Sequence, residues 1–493
     1  MPTLRSGVQY SGKWTKSQQM QAIAAGTWPE PPVIGKLYAW GYNNFGTLGQ
    51  GNTTNYSSPV QVGALTTWSN VANGYDAVLA PIPDGTMWAW GKNGDGQNGQ
   101  GDTIPGRSSP VQVGALTTWA SAASGTFFEA AIKTDGTLWT WGRGSNGRTG
   151  QNSTTNYSSP VQVGSLTNWS KLAESPNVHT LAIKTDGTLW AWGSNGSGRL
   201  GDGTTTTRSS PVQIGALTTW AVVSCGQNSS KAIKTDGTLW AWGNNAFGQL
   251  GLNNSTYYSS PVQVGALTTW LFVSAGEYHT SAIKTDGTLW SWGDDTEGAL
   301  GQGTNDSHLS SPVQVGALTN WSQVSGGEYF AGAIKTDGTL WTWGFGSTGR
   351  LGDGTTVSKS SPVQVGALTT WARLSASNNF CLATTTDGKL YAWGNGAQGQ
   401  LGQGNTTSYS SPVQVGSLTT WDYAGPGSSH SLVTKTDGTL WAWGMNAYGN
   451  LGLGNTTYRS SPVQVGALTT WDIAEGAGGS SAAIKTSGTL WTW

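Results

Sequence analysis

Short runs of alternating hydrophobic and polar residues, separated by glycine-rich polar segments, follow one another along most of the chain. Successive side chains of a strand point to opposite faces, so such runs are typical of half-buried strands. In a representative unit they predict four short strands, at residues 270–275, 281–284, 289–292 and 312–315. The alternation places Trp290 and Trp292 on one face of the third strand. No part of the unit is predicted to be helical.

Turn chemistry supports these strand assignments. Asp286-Gly287, between the second and third strands, predicts a hairpin turn in which both residues have positive φ. Pro312 lacks a backbone N–H and is therefore expected at the start of a strand or at a sheet edge.

The same unit recurs along the chain with a period that alternates between 50 and 51 residues. A Ser-Pro-Val-Gln segment marks each copy, with its proline at Pro59, Pro110, Pro160, Pro211, Pro261, Pro312, Pro362, Pro412 and Pro462. Repeats of this length bury their apolar faces against their neighbours. Four short antiparallel strands per repeat predict an all-β fold, a β-propeller of four-stranded blades.

The number of strands raises a question about how the propeller closes. There are nine proline-marked strands but ten strands of the Trp-x-Trp type, from residues 37–40 to residues 489–493. We expect nine blades closed by strands from both termini, which would remove exposed sheet edges. Seven or eight blades, or an incompletely closed ring, are the alternatives.

Composition excludes several classes of partner. Only 10% of residues are charged and the net charge is −1, so no nucleic-acid partner is expected. No apolar run is long enough for membrane insertion, and the first twenty residues lack the apolar segment of a signal peptide. Synthesis in a cytoplasm is therefore expected. The 29 tryptophans argue against disorder and are interpreted as structural. Cys225 and Cys381 are expected to remain unpaired.

Residues 1–34 differ from the propeller repeats at residues 35–493 and predict an N-terminal arm. Thr15 and Gln18 resemble a capping box before a short helix over residues 16–25, and residues 28–32 predict a stiff proline-rich linker. Such an arm suits attachment to another structure, and packing beneath the propeller is the alternative. The candidate docking residues are Tyr10, Trp14, Met20, Ile23 and Trp28.

The segment at residues 238–252, Thr-Leu-Trp-Ala-Trp-Gly-Asn-Asn-Ala-Phe-Gly-Gln-Leu-Gly-Leu, resembles the regulator of chromosome condensation repeat. That resemblance implies propeller blades of four strands, and the family's members have diverse functions. The homogeneous repeats are most similar to those of bacterial and phage proteins. Residues 7–14 and 24–29 resemble the N-terminal arm of structural proteins in tailed phages of cyanobacteria.

No arrangement of residues predicts an enzyme, a cofactor or a metal site. Three segments of the form Gly-x-Gly-x-x-Gly, at residues 142–147, 344–349 and 394–399, are interpreted as turns because no helix follows them. His179, His279 and His430 occupy nearly the same position in different repeats, without ligand-like neighbours. The acidic segment at residues 294–297 is interpreted as a solvated loop rather than a Ca²⁺ site.

Two windows vary between repeats, namely the loop after each Trp-Gly and the connection between the first two strands. Exposed aromatic and small polar residues suit contact with protein or glycan surfaces. The second window is expected near one end of a central channel. The candidate recognition residues are Tyr75, Phe127, Phe128, Tyr278, Tyr329, Phe330, Tyr42, Tyr258 and Tyr448.

These features predict a non-enzymatic phage virion surface protein, either a decoration or a fibre-tip module. Its arm would bind other virion proteins, and its propeller would adsorb to a host glycan or an outer-membrane protein. A homo-oligomer within the particle is expected. The alternative is a cellular protein–protein interaction scaffold of the same propeller family.

Overall fold

The computed structural model describes residues 38–41, 43–65, 72–73, 77–173, 178–225, 228–266, 268–275, 279–304, 308–327, 329–476, 481–485 and 490–492. The predicted arm, with its helix, its linker and its five docking candidates, lies outside these residues. Within them, no helix is both long and apolar enough to cross a membrane.

The described residues form eight four-stranded antiparallel sheets and one five-stranded sheet. In each four-stranded sheet the strands lie side by side in chain order, so each repeat is a simple meander. The prediction of an all-β protein built from four-stranded antiparallel blades is confirmed. The predicted second strand begins at His279 instead of Ser281, and the predicted fourth strand begins at Leu309 instead of Pro312.

The strands are grouped here by their position in the repeat. The first strands are β3 (Ala72–Asn73), β7 (Trp119–Ser124), β11 (Trp169–Leu172), β15 (Trp220–Cys225), β19 (Trp270–Ala275), β23 (Trp321–Gly326), β27 (Trp371–Ala376), β31 (Trp421–Pro426) and β35 (Trp471–Gly476). The second strands are β4 (Ala77–Pro81), β8 (Phe128–Lys133), β12 (His179–Lys184), β16 (Ser229–Lys234), β20 (His279–Lys284), β24 (Phe330–Lys335), β28 (Phe380–Thr385), β32 (His430–Lys435) and β36 (Ser481–Lys485).

Ten third strands and nine fourth strands complete the set. The third strands are β1 (Tyr38–Gly41), β5 (Met87–Lys92), β9 (Leu138–Gly142), β13 (Leu189–Gly193), β17 (Leu239–Gly243), β21 (Leu289–Gly293), β25 (Leu340–Gly344), β29 (Leu390–Gly394), β33 (Leu440–Gly444) and β37 (Leu490–Thr492). The fourth strands are β2 (Tyr56–Gln61), β6 (Gly106–Gln112), β10 (Tyr157–Gln162), β14 (Arg208–Gln213), β18 (Tyr258–Gln263), β22 (Leu309–Gln314), β26 (Lys359–Gln364), β30 (Tyr409–Gln414) and β34 (Arg459–Gln464).

The surplus third strand lies in the five-stranded sheet. The order of that sheet is β2-β1-β37-β36-β35, so strands from the two ends of the repeat region share it. β1 and β37 are parallel neighbours that pair at Ala39 and Thr492. The tenth Trp-x-Trp strand is therefore an additional strand of one sheet and does not begin a sheet of its own.

Three 3₁₀ turns interrupt the loops that follow third strands: η1 (Ser145–Gly147), η2 (Thr296–Gly298) and η3 (Ser347–Gly349). Two of them lie in the predicted Gly-x-Gly-x-x-Gly turns. In the loop at residues 142–147, Gly142 has φ +94, and a Cβ on Gly144 would lie 1.8 Å from the carbonyl oxygen of Thr155. These glycines therefore serve tight turns.

The hairpin turn between second and third strands differs from the predicted one. Gly287 has φ +77, but Asp286 is not among the described residues with positive φ. The Asp286 Oδ1 accepts hydrogen bonds from the backbone N–H of Thr288 at 3.0 Å and from its hydroxyl at 2.6 Å. These bonds favour a longer turn that ends on one left-handed glycine, so only the glycine needs positive φ.

Tryptophan side chains pack both inside the sheets and between them. The predicted orientation of Trp290 and Trp292 is confirmed, since their ring centroids lie 6.0 and 5.8 Å from that of Trp270. Trp292 is fully buried, and its indole N–H donates to the carbonyl oxygen of Gln249 in the preceding sheet at 3.1 Å. Equivalent bonds recur along the chain, so the second tryptophan of each pair joins two sheets. This burial supports the structural interpretation of the tryptophans.

A second repeated contact joins each loop that follows a third strand to the fourth strand of the next sheet. The N–H of Gly354 donates to the carbonyl oxygen of Ser410 at 2.7 Å, and Gly404 contacts Ser460 in the same way. Nine such bonds occur among the described residues. The ninth runs from Gly454 to Ser57 in β2, so it joins the loop after β33 to the five-stranded sheet.

The close approach of each hairpin turn to the next linker gives a testable prediction. Gly338 (φ +77) and Gly366 (φ +60) both have a left-handed backbone. A Cβ added to Gly338 would lie 2.1 Å from the carbonyl oxygen of Thr369, whereas a Cβ added to Gly366 would meet nothing within 4 Å. Gly366→Ala should cost about 1 kcal/mol of unfolding free energy, and Gly338→Ala a further 1–3 kcal/mol. Urea denaturation measures both, and equal losses would show that the contact does not matter.

Candidate functional site

The meander brings both variable windows to the same end of each sheet. One window joins the first strand to the second, and the other joins the third to the fourth. Backbone hydrogen bonds connect the two, as from the N–H of Arg143 to the carbonyl oxygen of Phe127 at 2.8 Å and from Phe345 to Tyr329 at 2.9 Å. We call the surface formed by these two sets of loops the variable face.

The opposite end of each sheet carries the hairpin turns and the linkers to the next repeat. The N–H of Thr134 in one turn donates to the carbonyl oxygen of Thr118 in a linker at 2.8 Å. We call this surface the constant face, because Thr-Asp-Gly and Gly-Ala-Leu-Thr-Thr segments recur there with little change.

The predicted recognition residues differ in how far the structure exposes them. Tyr329 and Tyr448 are exposed on the variable face, and Phe127 is partly exposed. Tyr258 is half-buried, and its hydroxyl accepts a hydrogen bond from the Asn254 side chain at 2.8 Å. Three further candidates lie outside the described residues: Tyr42, Tyr75 and Tyr278.

Phe128 and Phe330 were predicted to be surface residues, and this prediction is wrong. Both are fully buried, because they begin second strands instead of belonging to the loop before them. The Phe330 ring packs in a core cluster with Trp371 and Cys381 of the next sheet. Neither ring can contact a partner without opening the sheets.

One group of aromatic and charged side chains on the variable face joins three sheets. Lys92 Nζ lies 4.8 Å from the ring centroid of Phe45 and 5.0 Å from that of Phe127. The Arg143 guanidinium lies 4.4 Å from the same Phe127 ring and forms a salt bridge with Asp95 at 2.9 Å. We call these five residues the Phe127 cluster. It spans three sheets, since Phe45 follows β1, Lys92 ends β5 and Phe127 precedes β8.

Phe127 adopts a backbone conformation that is unusual for its side chain. Its φ is +75°, and it is one of six described residues other than glycine with positive φ. A bulky residue in this region costs about 1–3 kcal/mol and persists only when its surroundings hold it there. Here Phe128 is anchored in the core, while the two cations and the loop hold the Phe127 ring at the surface.

The acidic loop at residues 294–297 uses its carboxylates to hold its own fold. Asp295 is buried and accepts hydrogen bonds from the Leu300 N–H at 3.0 Å and the Thr304 hydroxyl at 2.9 Å. Burial raises the pKa of the Asp295 carboxyl above its usual value. Glu297 accepts a hydrogen bond from Ser358 of the next sheet at 2.7 Å. No group of three or more potential metal ligands occurs among the residues that the structure describes.

A layer of buried polar side chains lies below the variable face, where second strands meet the next sheet. His430 Nε2 contacts the Ser481 hydroxyl at 2.7 Å, and that hydroxyl donates to the carbonyl oxygen of Asn450 at 2.9 Å. The serine proton is thereby used, so His430 is the donor and carries its proton on Nε2. His179 and Ser230 repeat this arrangement at 2.9 Å. Burial lowers the pKa of His430 to about 4, so the ring is neutral.

Comparison with known proteins agrees with this architecture. A profile of the RCC1-like domain matches residues 175–425 and 271–493, and profiles of the regulator of chromosome condensation (RCC1) repeat match residues 35–80, 84–132 and 135–183. The first of these matches alone covers more than half of the chain. The chain belongs to the RCC1-like domain family.

Individual RCC1-like relatives resemble parts of the chain. The human E3 ubiquitin-protein ligase HERC2 is 31% identical over 227 residues, which are 44% of this chain and 5% of HERC2. The mitochondrial RCC1 domain-containing protein RUG3 of Arabidopsis thaliana is 29% identical over 214 residues, which are 40% of this chain and 47% of RUG3. The chain therefore spans less than half of the length of these two relatives.

A solved structure supports the RCC1-like fold. The crystal structure of human WBSCR16 superposes with a TM-score of 0.51 at 20% sequence identity. The alignment covers 81% of this chain and 99% of that structure. At this identity the likeness shows the fold alone.

Sequence reasoning missed most of the Phe127 cluster, since it named only Phe127. The signal was present at the first and fourth positions after each Trp-Gly, where this RCC1-like chain differs most between repeats. The structure shows that the fourth position of one repeat contacts the first position of the next, as with Phe45 and Lys92 or Asp95 and Arg143. Pairing these positions across neighbouring repeats would have identified the cluster.

Glu129 gives a prediction about pH. It is buried next to the cluster and accepts a hydrogen bond from the Ser124 hydroxyl. Burial raises its pKa well above the ordinary 4.5, while the serine bond lowers it less. Above pH 4.5 the unfolded chain loses this proton and the folded protein keeps it, so rising pH destabilises the fold up to the folded-state pKa.

Glu129→Gln should therefore stabilise the protein increasingly as pH rises above 4.5. The gain should be about 1.4 kcal/mol for each unit by which the folded pKa exceeds the unfolded one. Thermal unfolding at several pH values measures it, with the solvent-facing Glu297→Gln as the control. A gain that does not depend on pH would contradict the assignment.

Proposed function

We propose that this RCC1-like propeller is a non-enzymatic protein-interaction module that binds a partner protein through its variable face. The observation that carries the proposal is the Phe127 cluster, an aromatic and charged group assembled from three sheets on the variable face, whereas the constant face is nearly uniform in sequence. Aromatic residues and arginine are enriched at protein interfaces. Here they form one cluster drawn from three sheets, whereas surface residues without a binding role need not be grouped in this way. The family relationship supports the same function.

We also propose that the propeller is a closed ring of nine blades. Two observations support closure: the Gly454–Ser57 bond repeats the contact found between the other neighbouring sheets, and β1 pairs with β37. Electron microscopy of the purified protein in top view counts the blades directly. Seven or eight blades, or a gap in the ring, would overturn this proposal.

The virion hypothesis stays a prediction. It depends on the arm at residues 1–34, which lies outside the described residues, and the relatives HERC2 and RUG3 carry the names of cellular proteins. They favour the interaction scaffold. Searching purified particles for the protein tests the virion location. The arm's binding to virion proteins, adsorption to host glycan or outer-membrane protein, and the homo-oligomer within the particle all require that location, so absence from the particles would reject them together.

Site-specific photo-cross-linking tests the proposed interaction. A photoreactive phenylalanine analogue replaces Tyr329 or Tyr448 on the variable face, or Leu368 on the constant face, where it is 39% exposed. In extracts of the cells that produce the protein, the first two variants should give one shared cross-linked partner, and the Leu368 variant should not. Cross-links from the constant face alone would overturn the proposal.

A further inference from the structure

We propose that the Phe127 cluster, together with Arg148, is a docking site for an acidic peptide segment of the partner protein. This inference rests on the proposed interaction function, because it names the chemistry that the partner presents. The cluster offers two kinds of contact side by side, aromatic rings and cations, within one small surface.

The aromatic contact comes from Phe45 and Phe127. Both rings lie within 5.0 Å of Lys92 Nζ, so the ammonium group sits between residues of two different sheets. Both rings are partly exposed. A leucine or aromatic side chain of a bound peptide would find apolar surface here without any rearrangement of the core.

The charge of this surface is positive. Lys92 and Arg143 lie beside one carboxylate, that of Asp95, and the buried Arg148 adds a third positive charge; burial raises the pKa of the neighbouring Glu129 carboxyl well above its ordinary value. Arg148 lies within the electrostatic reach of Arg143 and Asp95, and burial together with the Arg143 charge lowers its pKa. Asp76 lies outside the described residues.

A carboxylate of a bound peptide would therefore meet an excess of positive charge. The Arg143 side chain is 36% exposed while it holds Asp95, which leaves guanidinium N–H groups facing solvent. Arginine binds carboxylates through two parallel N–H donors, and a neighbouring ring further orients its planar group. Three cations are too few to follow a nucleic-acid backbone, whose binding needs many phosphate contacts. The chemistry fits a short acidic segment with apolar residues.

Because Phe127 has a positive φ, replacing it with glycine separates a role in binding from a role in stability. Glycine adopts a φ of +75° without cost, so Phe127→Gly removes the ring and also the backbone strain. A residue that served only stability would not be held in this conformation. The variant should therefore lose binding while its thermal midpoint stays unchanged or rises.

Fluorescence anisotropy with a labelled dodecapeptide, Glu-Glu-Leu repeated four times, tests the inference on the full chain. We expect binding at low salt that weakens at least fivefold at physiological salt, and no binding of the matching Lys-Lys-Leu peptide. Phe127→Gly and the double variant Lys92→Gln/Arg143→Gln should each weaken binding at least tenfold. Tyr329→Ala, on the same face but outside the cluster, should bind like the unmodified protein.

Each outcome decides the inference. Equal binding of the basic peptide, no binding of the acidic peptide at low salt, or unchanged affinity in both cluster variants would overturn it. If any of these results is found but Tyr329 and Tyr448 still cross-link to a shared partner, the proposed interaction function stands and only the acidic peptide segment is rejected. Absence of that cross-linked partner, with the acidic peptide still bound at the cluster, would instead reject the broader interaction function.

Discussion

Trp443→Ala should lower the free energy of unfolding by about 3–5 kcal/mol, the range for large aromatic residues removed from a packed core. Trp443 is fully buried and packs in a cluster that includes Leu401 of the preceding repeat and Trp421 of its own sheet. Its indole N–H donates to the carbonyl oxygen of Gln400 at 2.8 Å. The substitution therefore opens a cavity between two sheets and removes one of the two donors to the Gln400 carbonyl oxygen, since the Ser431 hydroxyl also donates to it.

The same strand offers a matched control. The ring centroid of Trp441 lies 5.9 Å from that of the same Trp421, but Trp441 is only half-buried. Its indole N–H donates to the Thr439 hydroxyl within its own repeat. Trp441→Ala should cost about half as much or less. Urea denaturation followed by circular dichroism measures both variants. An equal or larger loss for Trp441→Ala would mean that stability does not depend on the bonds between sheets.

The sequence pattern was sufficient for the repeated part of the fold. Alternation predicted the strands, and paired tryptophans predicted the shared face that Trp290 and Trp292 present to Trp270. The sequence pattern was less reliable for the hairpin turns, where a side chain accepts hydrogen bonds from the backbone. The carboxylate of Asp286 accepts bonds from Thr288, so the turn needs only one left-handed residue instead of two.

The candidate site was harder to predict, since it is formed between repeats. Reading a single repeat treated Phe127 and Phe128 alike, although Phe127 lies in the loop before β8 with its ring at the surface and Phe128 begins the strand with its ring in the core. Phe127 contacts Lys92 of the preceding sheet, and Lys92 in turn contacts Phe45 of the sheet before that, so sequence spacing within one repeat gives no information about these contacts. The contact between neighbouring repeats became visible only with the sheets in place.

Acid should unfold this propeller through its buried histidines. Burial lowers the pKa of His179 to about 3 and those of His279 and His430 to about 4, from an ordinary 6.5. As pH falls below 6.5, the unfolded chain binds protons that the folded protein does not accept, so stability is lost between pH 6.5 and about 4. Three such residues contribute up to about 4 kcal/mol per pH unit, and Glu129 and Asp295, whose pKa values burial raises, oppose them with at most one proton each.

The chain itself provides the replacement residue for this test. Phe380 occupies in β28 the position that His430 occupies in β32, and Ser431 follows it by the same 51 residues that separate Ser481 from His430. Ser431 still donates to the carbonyl oxygen of Gln400 at 2.7 Å, so a phenylalanine is compatible with the serine bond. The double variant His179→Phe/His430→Phe should therefore fold, and it removes two of the three titrating rings.

The unfolding free energy of the unmodified protein should fall steeply between pH 6.5 and 4.5. In the double variant the slope should be smaller by about 2.7 kcal/mol per pH unit, since two protons fewer are taken up on unfolding. The aspartates of the hairpin turns do not obscure this window, because hydrogen bonds from threonine, as at Asp437, lower their pKa below the ordinary 3.8. An unchanged slope would show that the buried rings are not the groups that acid protonates, and loss of stability already at pH 7 would show that phenylalanine does not fit between these sheets.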